Sequence, residues 1–97
     1  MADLLDAGVV RESLPALTGW TGDHTGIART FELPDFASAI ALVDEVAVAA
    51  EEMDHHPDID IRYRTVTFRC RTHSAGGVTD LDLRMAQAIN DLAEEVD

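Results

Sequence analysis

The strictest pattern in the chain is a two-residue alternation between Thr65 and His73. Apolar or small residues alternate there with polar ones, and the two sets are Val66, Phe68, Cys70 and Thr72 against Thr67, Arg69, Arg71 and His73. Successive side chains of a β-strand point to opposite sides of its sheet. The alternation therefore predicts a strand with one face in a core and the other in solvent, and it places His73 on the polar face.

The elements before this strand are predicted from the spacing of apolar residues and from residues that favour turns. A helical segment from about residue 4 to 17 is interrupted by Pro15, which predicts two short pieces or a kink. Residues 20–33 predict a hairpin with its turn at residues 22–26, because glycine and aspartate favour turns. Trp20 is interpreted as a core anchor, with ligand stacking as the alternative.

A long helix is predicted next, capped by Asp35 and closed by Pro57. Its apolar residues recur at helical spacing, and the stripe is Phe36, Ile40, Val43, Ala47 and Ala50. Further alanines and Val48 broaden the apolar surface, which could face a second subunit. A strand over residues 60–64, the alternating strand and a final helix opened by Thr79 complete the chain.

The predicted order is helix, two strands, long helix, two strands and helix. The economical solution is an α+β fold in which a four-stranded antiparallel sheet carries the helices on one face. A length of 97 residues predicts one domain over residues 1–97.

Charge and cysteine content limit the partners. The chain carries 19 acidic and 7 basic residues, for a net charge of −12. This balance argues against nucleic-acid binding and against docking on an anionic membrane. The single cysteine excludes an internal disulfide. With no secretory signal or membrane span in the sequence, we expect a cytoplasmic protein.

Three of the four histidines lie between residues 51 and 82, at the predicted end of the long helix and of the alternating strand. Glu51 and His55 are four residues apart, so on a helix the carboxylate would hold the imidazole. Pro57 would turn His56 out of helical geometry. Imidazoles exchange protons near neutral pH, which predicts acid–base chemistry. The alternative is a pair of exposed helix-capping histidines.

Other chemistries fit the spacing less well. Adjacent histidines chelate poorly from one helix, and no established zinc motif is present, so no metal is expected. Cys70 should point into the core, and Ser74 lacks a nucleophile elbow. Asp82 lies three residues after Thr79 and resembles the acidic partner of a capping box, which leaves its role in a site open. Tyr63 is expected in the core rather than beneath the site.

In type and spacing, Glu51, His55-His56-Pro57, Tyr63, His73 and Asp82 resemble the signature of the pterin-4a-carbinolamine dehydratases. The resemblance extends to Gly19-Trp20, Asp35-Phe36, residues 50–57 and residues 72–79, and it covers nearly the whole chain from about residue 14 to 92. Two departures are Ile59, where many members carry an aromatic residue, and Val78, where leucine is common.

The resemblance implies the same four-stranded fold and a hydro-lyase that dehydrates 4a-hydroxytetrahydropterin to quinonoid dihydropterin. This step recycles the cofactor of aromatic amino-acid hydroxylases, and it needs no metal or organic cofactor. The three catalytic histidines would be His55, His56 and His73. Supporting or substrate-binding positions would be Glu51, Asp54, Thr72 and Asp82. Members commonly form homodimers or homotetramers.

His56 is expected to be the principal acid and base, while His55 and His73 hold the pterin and share the proton transfers. The alternative function is a non-catalytic protein on the same fold that binds transcription factors or assists assembly. A third hypothesis is an enzyme acting on a related pterin. A hydroxylase in the same pathway is an expected partner.

Overall fold

The computed structural model describes residues 3–96 and contains one four-stranded antiparallel sheet. The strands are β1 (Thr21–Asp23), β2 (Gly26–Glu32), β3 (Asp58–Arg62) and β4 (Thr65–Cys70). Their order across the sheet is β1-β2-β4-β3. The helices are α1 (Ala7–Ser13), α2 (Phe36–Met53) and α3 (Asp80–Val96), and a 3₁₀ turn at Leu14–Ala16 follows α1. The predicted fold class and element order are confirmed.

The alternation in β4 has the expected structural consequence. Val66, Phe68 and Cys70 are buried, whereas Arg69 is exposed. Phe31 of β2 meets Phe68 edge to face, with the ring centroids 5.9 Å apart. These side chains form one core with buried residues of all three helices, namely Val10, Ala39, Leu42, Val46, Ala50, Met85, Ala86 and Ile89. The opposite face of the sheet carries the polar set.

Local predictions around the sheet are confirmed in part. Pro15 lies in the 3₁₀ turn that ends the first helical segment. Trp20 is buried and donates from Nε1 to Oδ1 of Asn90 at 2.8 Å, as expected of a core anchor. The prediction for Tyr63 is wrong: its side chain is 71% exposed. It occupies the turn between β3 and β4 with a positive φ of 54°, a conformation that tight turns require.

Helix α2 begins where the sequence indicated but is rotated relative to the predicted stripe. Asp35 accepts the backbone N–H of Ser38 at 2.8 Å, which confirms the N-cap. The buried residues of α2 are Ala39, Leu42, Val46 and Ala50. Of the predicted stripe only Ala50 belongs to this set, and Phe36 remains 50% exposed. An alanine-rich helix has little contrast in hydrophobicity between its faces. The prediction aligned the apolar stripe on the large residue Phe36, and the stripe was therefore rotated away from the buried face.

Candidate active site

The end of α2 sets the geometry of the histidine pair. Asp54 adopts a left-handed conformation with φ 50° and ψ 44°. The N–H of His55 then reaches the carbonyl of Ala50 at 3.0 Å, and that of Asp54 reaches Glu51 at 3.3 Å. This is the hydrogen-bond pattern of a Schellman helix end. The helix therefore stops at Met53, four residues before Pro57.

Because His55 lies outside the helix, the predicted pair between Glu51 and His55 is wrong. Glu51 instead makes a close contact through Oε2 with Nε2 of His56. Both side chains are exposed, 76% for Glu51 and 57% for His56. The left-handed conformation of Asp54 turns His55 away from the exposed side of α2. His56, the residue after His55, points back toward Glu51.

His55 turns inward to a buried carboxylate. Its Nε2 lies 2.6 Å from Oδ1 of Asp82, and the two side chains are 10% and 0% exposed. An ionised carboxylate can only accept hydrogen bonds, so the imidazole donates its Nε2–H. Such a contact fixes the ring orientation and the tautomer. It leaves Nδ1 as the nitrogen of His55 available to another molecule.

Asp82 also bonds to the segment after β4 and to the start of α3. Its Oδ2 accepts the hydroxyl of Thr72 at 2.8 Å and the backbone N–H of Thr79 at 2.9 Å. The Thr79 hydroxyl lies 2.7 Å from the Thr72 hydroxyl and donates to it. Asp82 is thus both the capping-box carboxylate and the partner of His55. The capping box expected from the sequence is present, and the same carboxylate also contacts His55.

The buried polar atoms in the cluster of His55, Asp82, Thr72 and Thr79 are all hydrogen-bonded. No buried side-chain polar atom among residues 3–96 lacks a partner. A buried carboxylate is tolerated only when hydrogen bonds replace its hydration. The sequence predicted the capping box of Thr79 and Asp82, but it did not predict the contact of the Thr79 hydroxyl with the Thr72 hydroxyl.

His73 follows this cluster directly along the chain. Thr72 closes a tight loop by pairing with Gly77: its N–H donates to the Gly77 carbonyl at 2.7 Å, and its own carbonyl accepts the N–H of Gly76 at 2.9 Å. Gly76 has a φ of 80°. A Cβ on Gly77 would lie 2.5 Å from the carbonyl oxygen of His24, so only glycine fits there. This loop presents the exposed His73 beside the buried Thr72.

Sheet register relates the two histidine segments. Asp58 pairs with Arg69, and each step along β3 pairs with one step back along β4. Continued beyond the ladder, this register sets His55 opposite Thr72 and His56 opposite Arg71. The first relation agrees with the hydrogen bonds that His55 and Thr72 both make to Asp82. The segments that carry His55, His56 and His73 therefore meet at one end of the sheet.

Other candidates lie at the margin of this arrangement. Asp54 is exposed and forms the helix end. Three surface cavities are lined by other residues, and none of the three includes His55, His56 or His73. Burial, reinforced by the charges of Asp82 and Asp58, raises the pKa of the Cys70 thiol. Cys70 is therefore a core residue and a poor nucleophile.

Two kinds of feature are absent from residues 3–96. No cluster of three or more histidine, cysteine, aspartate or glutamate side chains is arranged to hold a metal ion. Within the same residues, no helix is both long and apolar enough to cross a membrane.

Comparison with known proteins shows the family of this chain. The family model described as pterin 4 alpha carbinolamine dehydratase matches residues 3–92. A Roseiflexus castenholzii protein named "Putative pterin-4-alpha-carbinolamine dehydratase" is 50% identical, over 95% of this chain and 99% of its own length. A Nocardia farcinica protein of the same name is also 50% identical, over 94% of this chain and 96% of its own.

Two solved structures are similar. A transcriptional coactivator/pterin dehydratase from Brucella melitensis has a TM-score of 0.90 and 36% identity, over 94% of this chain and 99% of that one. A pterin dehydratase-like RuBisCO assembly factor of the alpha-carboxysome has a TM-score of 0.63 at 21% identity, over 76% of this chain and 86% of that one, and shows the fold alone. This chain belongs to the pterin-4a-carbinolamine dehydratase family.

Proposed function

We propose that this protein dehydrates 4a-hydroxytetrahydropterin to quinonoid dihydropterin by histidine acid–base catalysis. The observation that carries the proposal is the hydrogen-bonded connection from His55 through Asp82 to Thr72, the residue before His73. It joins two segments that are distant in sequence. Family membership supports the reaction class.

The reaction breaks the bond between C4a and the hydroxyl oxygen. A proton must reach that oxygen so that it leaves as water, and a proton must leave the neighbouring ring nitrogen. An imidazole can perform either transfer near neutral pH, and each contributes about 10²–10⁴-fold to the rate. No further reactant is required.

His56 is proposed as the principal acid and base. Its ring is exposed, so it can approach a bound pterin, and Glu51 accepts one of its N–H groups. The carboxylate fixes the orientation of the ring. The sequence assigned the supporting carboxylate of Glu51 to His55; in this proposal it supports His56 instead.

His55 and His73 are proposed to hold the pterin. His55 is fixed by Asp82 and presents Nδ1, while His73 projects from the loop after β4. Glu51, Asp82 and Thr72 support these rings, and Asp54 shapes the turn that separates His55 from His56.

The direct test generates a 4a-hydroxypterin enzymatically and follows its decay by ultraviolet stopped-flow. We expect the protein to accelerate the decay over buffer in proportion to its concentration. A decay no faster than in buffer would exclude the dehydratase. The same measurement with different side chains would report the preferred pterin.

A second candidate function is a non-catalytic interaction protein. The observation that favours it is the exposed apolar surface of α2, where Phe36 is 50% and Val48 57% exposed. The Brucella relative is named a transcriptional coactivator as well as a dehydratase. An inactive but folded protein would favour this alternative.

We further propose a homodimer or homotetramer formed through this α2 surface, because exposed apolar patches commonly mark interfaces. Light scattering on the wild type and on Val48→Glu would test it, with a lower mass expected for the variant. A cytoplasmic setting and a role beside an aromatic amino-acid hydroxylase are proposed with the reaction. The single unpaired cysteine is consistent with a reducing compartment.

A further inference from the structure

A cavity of about 340 Å³ lies on the polar face of the sheet, next to the histidine segments. Its lining includes Arg69 and Arg71 of the β4 segment, Ala28 and Gly26 of β2, and Asp58 of β3. We call it the arginine cavity. Its volume is within the range of small-molecule sites.

The cavity follows from the pairing of large with small residues. Ala28 is the cross-strand neighbour of Arg69. Gly26 takes the same position beside Arg71: a Cβ built on Gly26 would lie 3.9 Å from the Cβ of Arg71. Small residues on β2 leave one flank of each arginine uncovered. The result is a concave surface rather than a flat sheet face.

The two guanidinium groups are available for a ligand. Neither Arg69 nor Arg71 lies within 4.0 Å of a carboxylate oxygen among residues 3–96, whereas Arg62 and Arg64 both form ion pairs. Asp58 is the only acidic residue in the lining, against two arginines, in a protein whose net charge is −12. The cavity is therefore a local cationic site on an acidic surface.

Its position relates it to the proposed active site. Burial alternates from Phe68 to His73, so Arg69, Arg71 and His73 are the exposed members of one series. Two residues of extended chain span about 7 Å. Asp58 follows His56 by two residues on the neighbouring strand. A ligand held by His56 and His73 could extend a side chain of a few bonds into the cavity.

We propose that the arginine cavity binds the side chain of the pterin and selects a side chain that ends in a phosphate monoester. This inference rests on the proposed dehydratase function, for which it specifies the substrate class. Arginine forms paired hydrogen bonds with phosphate oxygens, and its planar fork suits that anion better than lysine. The carboxylate of Asp58 would repel a second negative group, so we expect the cavity to bind one phosphate.

The test compares two 4a-hydroxytetrahydropterins that differ only in a phosphate on the side chain. For the wild type we expect kcat/KM to be about 10- to 100-fold higher for the phosphorylated substrate, the usual worth of hydrogen bonds to a charged group. Arg69→Gln/Arg71→Gln should remove this preference, because it lowers kcat/KM much more for the phosphorylated than for the neutral substrate. Arg69→Lys/Arg71→Lys should restore part of it.

The matched control is Arg11→Gln/Arg84→Gln, which removes the same charge from two exposed positions outside the cavity. It should keep the preference. Equal kcat/KM for the two substrates in the wild type would overturn the inference, as would an equal loss for both substrates in Arg69→Gln/Arg71→Gln.

If the wild type dehydrates neither substrate, the proposed function fails. A binding measurement then tests whether the arginine cavity is a phosphate site. Fluorescence titration with a stable oxidised pterin phosphate would then be used. An affinity about tenfold lower for Arg69→Gln/Arg71→Gln than for the wild type would retain the cavity as a phosphate site. Equal affinities would eliminate it.

Discussion

Two adjacent histidines of this protein have opposite surroundings. His55 is nearly buried and bonded to the fully buried Asp82, whereas His56 is exposed and bonded to the exposed Glu51. One residue, Asp54, separates these environments by ending α2 in a left-handed conformation. The inner pair belongs to a buried hydrogen-bond cluster, whereas the outer pair is the one to which we assign proton transfer in the proposed function.

Replacement of His56 should have the largest effect. We expect His56→Ala to lower the dehydration rate about 10²- to 10⁴-fold, because it removes the proposed acid–base group. Its free energy of unfolding should stay within about 0.5 kcal/mol of wild type, since the side chain is exposed. Stopped-flow rates and urea unfolding measure the two quantities.

The matched control for His56→Ala is His24→Ala. His24 is exposed in the turn between β1 and β2, where its backbone carbonyl accepts the N–H of Val78. It should leave both rate and stability unchanged. A His56→Ala enzyme as fast as wild type would remove the outer pair from the mechanism.

Replacement of Asp82 should mainly affect stability. Asp82→Ala leaves His55, the Thr72 hydroxyl and the Thr79 N–H without their acceptor in a buried setting. We expect a loss of about 3–5 kcal/mol in the free energy of unfolding, since each buried donor left unsatisfied costs about 1–3 kcal/mol. Urea unfolding would measure it.

Asp44→Ala on the exposed side of α2 is the control, with a change within about 0.5 kcal/mol. A stability loss of that same small size for Asp82→Ala would show that the inner cluster is not a structural anchor.

Glu51 offers a smaller and more selective test. Glu51→Gln should slow dehydration about two- to fivefold, the scale of an exposed ion pair. A double-mutant cycle should find this effect coupled to His56 and additive with His55, because groups in contact are coupled. Glu52→Gln is the neutral neighbour control. Coupling to His55 instead would restore the pairing expected from helical spacing.

The smallest effect is expected at the other end of α2. The backbone N–H of Ser38 bonds the Asp35 carboxylate and lowers its pKa. Its stabilisation is therefore complete above the unfolded pKa and is lost as the pH falls through the lower folded value. Asp35→Asn keeps the cap but should abolish this part of the acid sensitivity. Thermal unfolding between about pH 2 and 6 would reveal it, and an unchanged profile would contradict it.

Residue patterns that extend over several positions predicted the fold. The contacts within the candidate site were harder to predict, because they depend on single backbone angles and on tertiary packing. Alternation from Thr65 to His73 specified the buried face of β4, and the spacing of Thr79 and Asp82 specified the capping box. Both signals depend on strong differences between neighbouring residues. The family resemblance grouped His55, His56 and His73, and the structure connects His55 through Asp82 to Thr72, the residue before His73.

The errors in the predicted histidine contacts have two physical causes. A left-handed helix end usually carries glycine, so a left-handed Asp54 gave no warning that α2 stops before His55. The contact between Glu51 and His56 follows from that one backbone angle. The partnership of His55 with Asp82 depends on tertiary packing of α3 against the sheet, which spacing along one helix cannot report.

The most direct measurement is a crystal structure of the protein with a stable dihydropterin bound. It should show nitrogen atoms of His55, His56 and His73 within hydrogen-bond reach of a single pterin, about 2.6–3.2 Å from its heteroatoms. A pterin bound elsewhere, or one that leaves His73 out of contact, would contradict a shared active site.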